Sequence, residues 1–172
     1  TALTGNVASG DYSHAEGSST TASGHCSHAE GSSTTASGHW SHAEGWQTTA
    51  WGNYSHAEGR RTMAWGIFAH AEGNGTTATG KYSHAEGQGA TASGDYSHAA
   101  GYGTIANAYQ YVVGKYNADT TAPTSLSDTT ISAGLFIVGA GTDSSARKNG
   151  FRINPAGKVY GTGTFGTSGA DY

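Results

Sequence analysis

The sequence predicts an all-β chain. A parallel β-roll, or β-solenoid, of fourteen-residue coils is expected over residues 1–108, with a small β-rich capping domain over residues 109–172. Three observations lead there. Ser-His-Ala-Glu-Gly, or a close variant, begins at Ser13, Ser27, Ser41, Ser55, Ala69, Ser83 and Ser97 without one insertion. Ala recurs every seven residues from Ala8 to Ala106. Gly makes up 28 of 172 residues, more than twice the usual share of about 7%, with no Gly-x-y period that would indicate collagen.

A seven-residue half-period suggests a coiled coil first, but the a and d sites would hold Ala, Ser and Gly instead of large apolar residues. Gly also costs about 1 kcal/mol at each helical position. Read with period two, each half-repeat is a strand of about five residues. Ser13, Ala15 and Gly17 then face inward and His14 and Glu16 outward; Thr20, Ala22 and Gly24 face inward and Thr21 and Ser23 outward. The pairs Ser18-Ser19 and His25-Cys26 make the turns, and Gly17 and Gly24 are expected to supply permissive φ. Coils stack in parallel at about 4.8 Å, so the roll is about 35 Å long. Its interior of Ala, Ser, Thr and Gly brings the two sheets unusually close.

Composition narrows the function classes. Net charge is −4 with no basic run, which disfavours nucleic-acid binding. The longest apolar stretch, Leu135 to Val138, is far below the ~20 residues of a membrane helix, so no membrane insertion is expected. No signal peptide is visible, and the single Cys26 forms no intrachain disulfide.

All six Glu of the chain occupy one repeat position. Stacking in register opposes them at a cost of about 0.9 kcal/mol per neighbouring pair in bulk water, and more in a protein-like dielectric. Within one chain His sits over His and Glu over Glu, so their partners are diagonal neighbours or another chain. Recent duplication with exposed His and Glu is a competing account. A metal held by symmetry-related His is a third, although no His-x-His or Cys-x₂-Cys occurs.

The Ser-x-Ala-x-Gly pattern at period fourteen, over about Gly5 to Ala108, resembles the head repeats of trimeric autotransporter adhesins, the YadA-like family. Ser-His-Ala-Glu-Gly itself is similar to repeats of phage tail fibres and neck appendages. The resemblance implies a left-handed roll and a homotrimer with the rolls side by side. His14, Glu16, His28, Glu30, His42, Glu44, His56, Glu58, His70, Glu72, His84, Glu86 and His98 are then the expected trimer interface, joined by His–Glu hydrogen bonds in every tier. Such a ladder is expected to lose stability from pH 8 to pH 4 as Glu protonates.

Two variable columns stand out. Tyr12, Cys26, Trp40, Tyr54, Phe68, Tyr82 and Tyr96 form a mostly aromatic ladder at a turn edge, expected to be structural stacking. In the middle coils Trp46, Trp51, Met63 and Trp65 replace Ser and Thr, and Arg60-Arg61 replace the Ser18-Ser19 pair. Trp46, Trp51, Arg60, Arg61 and Trp65 are the candidate receptor-binding residues, as a sugar platform or protein contact, with packing against another chain as the alternative. The Thr columns suit ice binding poorly, because Met63 and the Trp side chains break their flatness.

After Ala108 a strand is expected at Tyr109–Gly114, a buried strand at Leu135–Gly139, and a hairpin around Pro155-Ala156-Gly157. Residues 135–160, with Gly-Ala-Asp-Tyr at 169–172, resemble the segment upstream of auto-cleaving chaperone domains in phage tail proteins, and carry no catalytic residue into this chain. Every His of the column has an equivalent environment, whereas catalysis needs one specialised site. No enzyme, cofactor or metal is therefore expected. The expectation is a virion-tail or extracellular attachment segment that binds itself, other tail proteins and a host-surface glycan or protein; a bacterial adhesin head is the alternative.

Overall fold

The structure, a computed structural model, describes residues 5–118 and 135–161. It is all-β, a parallel β-solenoid of about fourteen residues per coil, with no helix among the described residues. The Gly-Ala-Asp-Tyr end and most of the stretch between the Tyr111 and Phe136 strands lie outside the described residues.

Each coil supplies one five-residue strand, such as His28–Ser32, and one two-residue strand, such as Thr35–Ala36. The second strand is shorter than its pattern predicts because the chain turns immediately after the core Ala. The Ser23 and Gly24 amides both donate to Ala36 O, at 2.9 and 3.3 Å. Coils pair like on like: His28 opposite His42, Ala29 opposite Ala43, Glu30 opposite Glu44. The short strands form an eight-stranded sheet from Val7–Ala8 to Ile105–Ala106. The long strands form an eleven-stranded sheet that continues past the repeats without a break. Tyr111–Lys115 pairs in parallel with His98–Tyr102, and Phe136–Ala140 pairs in parallel with Tyr111–Lys115. Asn149–Ile153 and Val159–Gly161 then add as an antiparallel hairpin.

The core lies between the two sheets. Ala22, Ala29, Ala36, Ala43 and their successors are fully buried, and among the described residues larger aliphatic side chains are buried only at Val112 and Ile137. A column of buried Thr runs beside the Ala, and the Oγ1 atoms of Thr20, Thr34, Thr48, Thr62 and Thr104 have no hydrogen-bond partner. Ala90 holds the same column without a hydroxyl. Thr is present there as a β-branched filler of a narrow space, although the Thr76 hydroxyl donates to Glu72 O at 3.0 Å.

The turns give Gly24 and its copies a different purpose from the expected one. Gly24 does not adopt positive φ; what the position requires is the absence of a side chain. A Cβ on Gly52 would lie 1.9 Å from Gly66 O in the next coil. Positive φ falls two residues later, at Cys26, Trp40, Tyr54, Phe68, Tyr82 and Tyr96. A side chain in that conformation costs about 1–2 kcal/mol. Two interactions offset it. The Tyr54 amide donates to His39 O at 2.8 Å, tying one coil to the one before. The rings also stack nearly parallel: Trp40 on Tyr54 at 5.0 Å, Tyr54 on Phe68 at 4.8 Å and Phe68 on Tyr82 at 5.0 Å. Such ring pairs are worth about 0.5–1.5 kcal/mol beyond area burial. The aromatic ladder is the structural stacking its spacing suggested.

Two substitutions at glycine separate close approach from conformational freedom. Gly52→Ala should lower stability by about 3 kcal/mol through overpacking against backbone. Gly75→Ala, at φ +67 with nothing within 4 Å of a Cβ, should cost only about 1 kcal/mol. Chemical denaturation of both variants checks the ranking. In the ladder, Tyr54→Ala should destabilise by about 1 kcal/mol more than Tyr54→Gly, because Gly removes the same stack but relieves the left-handed strain.

Candidate functional site

Strand alternation buries Ala29 and turns His28 and Glu30 outward, and seven copies of that logic, the last with Ala100 in place of Glu, build two parallel columns. The imidazoles stack face to face: His28 on His42 at 4.8 Å, His42 on His56 at 4.9 Å, His56 on His70 at 4.9 Å and His70 on His84 at 4.7 Å. Tyr111 continues the stack on His98 at 4.4 Å. The Nε2 atoms face carboxylates of the preceding coil: His42 to Glu30 at 3.7 Å, His70 to Glu58 at 3.6 Å and His84 to Glu72 at 3.6 Å. His98 hydrogen-bonds Glu86 at 3.2 Å, while His14 at the first coil meets its own-strand Glu16 at 3.3 Å. Within the chain the His–Glu partners are thus mostly diagonal neighbours. The longer separations are not hydrogen bonds, and Nε2 of His28, His42, His56, His70 and His84 is buried without a hydrogen-bond partner.

The Glu column resolves its own repulsion by alternating. Glu44 hydrogen-bonds Glu30 and Glu58, and its carboxyl is pushed up to about 7. Glu72 bonds Glu58, is desolvated and bonds Glu86, and is likewise raised to about 7. Glu30 is lowered by hydrogen bonding with Glu44 and Glu16, and Glu58 by hydrogen bonding with Glu44 and Glu72. Glu86 is also lowered, by hydrogen bonds from His98 and Glu72 that outweigh its desolvation. Two ionised carboxylates this close are unfavourable, whereas a carboxylic acid donating to a carboxylate is favourable. Burial pushes His42, His56 and His84 below the ordinary imidazole value, and their like-charged neighbours add to this. The columns also make repeated donor sets. Glu30, His42 and Glu44 place ligand atoms within 4.8 Å of one another, and the set recurs at Glu44-His56-Glu58, Glu58-His70-Glu72 and Glu72-His84-Glu86. Two carboxylates and one imidazole suit a divalent transition metal chemically.

The five candidate receptor-binding residues fall into two groups at the two different turns of the coil. Trp51 and Trp65 meet edge to face at 4.5 Å, and both are about half exposed. Trp46 lies under both guanidinium groups, Arg60 at 4.9 Å and Arg61 at 5.0 Å. Beyond Arg60 and Arg61 the same turn edge opens into a trough of about 500 Å³ that includes Asn74, Gln88, Tyr102, Tyr116 and Arg147. The repeat reading passed over these residues. Their signal is in the sequence: the column that holds Ser19, Ser33, Gln47 and Arg61 switches to Gly75, Gly89 and Gly103.

The family model of the YadA head domain repeat (2 copies) matches residues 29–55, 57–83 and 85–107. Each matched stretch spans about two coils of the solenoid just described. Residues 29–107 of this β-solenoid are thus similar to YadA head domain repeats. No curated protein matches it.

The column sets a pH dependence different in shape from a simple loss on Glu protonation. Glu44 and Glu72, raised to about 7, contribute stability that is complete below the ordinary carboxylate value and lost as pH rises through about 7. The lowered His42, His56 and His84 contribute stability that is complete above about 6.5 and lost as pH falls. The lowered Glu30, Glu58 and Glu86 add a further loss below the ordinary carboxylate range. The contribution of Glu44 and Glu72 is therefore lost progressively between about pH 4.5 and pH 7, and melts should fall again below about pH 4.5. The double variant Glu44→Gln, Glu72→Gln fixes the protonated hydrogen-bonding pattern and should gain thermal stability relative to the parent as pH rises over that range. A difference between the two proteins that stays constant from about pH 4.5 to pH 7 would refute the raised carboxyls.

Proposed function

We propose that this chain is the head segment of a homotrimeric, extracellular surface adhesin that works by attachment and not by catalysis. The observation that carries this reading is the unbroken, in-register column of half-buried His and Glu, with imidazole Nε2 atoms that lack hydrogen-bond partners in the single chain. A second copy laid against this face would supply donors and acceptors to each tier, and identical tiers are what a symmetric interface needs. The match to YadA head repeats supports the adhesin class, and the resemblance to trimeric autotransporter heads supports three copies. Attachment needs no cofactor, and its partner is a host-surface glycan or protein.

A second reading is a phage tail fibre or appendage. It is favoured by the Ser-His-Ala-Glu-Gly wording and by the likeness of residues 135–160 to segments upstream of phage chaperone domains. The full-length gene separates the two: a coiled-coil stalk and β-barrel anchor fit the autotransporter, a chaperone domain the phage.

Light scattering in dilute solution should give three times 17.4 kDa. The triple variant His42→Ala, His56→Ala, His70→Ala should dissociate toward single chains while Trp51→Ala leaves the assembly intact. A folded single chain for the unsubstituted protein would overturn the trimer.

A further inference from the structure

We infer that the trough beside Arg60 and Arg61 is a binding site for an acidic oligosaccharide, one carrying carboxylate, sulfate or phosphate groups on its sugar rings. The inference rests on the adhesin reading and gives it a ligand class and a location.

The site begins with a gap in the repeat. In the early coils the left-handed turn position carries Ser19, Ser33, Gln47 and Arg61. In the next three it carries Gly75, Gly89 and Gly103. A Cβ on Gly75 would meet nothing within 4 Å, so the missing side chain at that tier leaves open space. Asn74 and Gln88 stand beside this glycine floor, and their amides offer both donors and acceptors to sugar hydroxyls.

Both ends are walled by cations on aromatic rings. At one end Arg60 and Arg61 lie over Trp46, and Arg61 Nε donates to Gln47 Oε1 at 3.1 Å. At the other end the Tyr116 ring packs over Gly103, where any Cβ would collide with it. Arg147 lies against the Tyr116 ring at 5.5 Å and donates to Gly103 O at 2.7 Å. Lys115 sits 5.8 Å from both the Tyr102 and Tyr116 rings. Three of the eight Lys and Arg of a chain with net charge −4 therefore line this one trough, and Lys115 sits against two of its rings. None of the four forms an ion pair among the described residues. Asp143 has its carboxylate occupied by the Ser145 and Ala146 amides and the Ser145 hydroxyl.

Three coil steps separate Arg61 from the Gly103 tier that Arg147 and the Tyr116 ring occupy, about 14 Å at about 4.8 Å per tier. That spacing suits an extended chain of sugar rings with anionic groups toward each end. Fixed guanidinium groups recognise such anions in bidentate fashion, and exposed aromatic faces stack on sugar rings. The surrounding negative charge of the molecule disfavours a long polyanion such as nucleic acid.

The test is calorimetry on the assembled protein with three probes: a heparin-derived tetrasaccharide, an oligogalacturonate and a neutral chito-oligosaccharide. One or both acidic probes should bind, the neutral one at least about tenfold more weakly. The double variant Arg60→Gln, Arg61→Gln and the single variant Arg147→Gln should each weaken binding about tenfold or more, and Gly75→Trp, which fills the floor, should abolish it. Lys81→Gln, which removes an exposed cation at the other turn, should leave affinity unchanged. Each variant is first shown to keep the assembly and melting temperature of the parent. No binding of either acidic probe, or acidic-probe binding that survives the Arg and Gly75 substitutions, overturns the site. If the protein then still adheres to host cells, adhesion stands and only this trough falls; tighter binding of a single-stranded DNA oligonucleotide than of either oligosaccharide would overturn the ligand class.

Discussion

Everything in this molecule follows from the distance between one coil and the next. Backbone hydrogen bonding holds strands of successive coils about 4.8 Å apart in parallel, and a period of fourteen places each residue over its own copy. Where the chain turns, the approach tightens further: a Cβ on Gly38 would lie 2.0 Å from Gly52 O. Glycine at that position is the condition for stacking at all. The thin core follows from the same geometry, because with Ala at its centre each coil buries little apolar area. Cohesion must come from the ladders of hydrogen bonds between coils and from side chains that gain by standing on copies of themselves.

Standing on a copy is favourable for a ring and unfavourable for a charge, and the two outer columns show both outcomes. Aromatic rings at the turn stack in parallel and offset the left-handed backbone beneath them. The imidazoles do the same, and desolvation keeps His42, His56 and His84 biased toward the neutral form that stacks best. The carboxylates cannot all remain charged. They share protons along the column, which raises Glu44 and Glu72 and lowers Glu30 and Glu58. Proton sharing between stacked copies of one residue does not show in the repeat itself.

That contrast marks the limit of what was legible. Periodicity revealed the coil, the inward Ala and Thr, the outward His and Glu, and the aromatic ladder, because each depends only on which residue recurs at which spacing. The role of Gly24 was misjudged because composition shows that glycine is required but not whether φ or clearance requires it. Trp46, Trp51, Arg60, Arg61 and Trp65 were recognisable as departures from the repeat. Their division between two turns was not, since it depends on where the shortened second strand ends. Arg147 was out of reach for another reason: it approaches Gly103 from 44 residues away, and no periodicity links them.

The trough beside Arg60 also shows how a repeat acquires a site. A perfect stack offers every ligand the same tier many times and no particular place to bind. Selectivity begins where one column breaks while its neighbours hold register. Here the turn column loses its side chains at Gly75, Gly89 and Gly103, while Ala64, Ala78, Ala92 and Ala106 continue the core beneath without interruption. The frame stays rigid because the inward residues do not change, and the recess is bounded because Arg61 precedes it and Tyr116 closes it. A rigid recess loses little conformational entropy when it is filled. Conservation of the inner face and variation of one turn edge are therefore complementary: the first supplies the precision that makes the second useful.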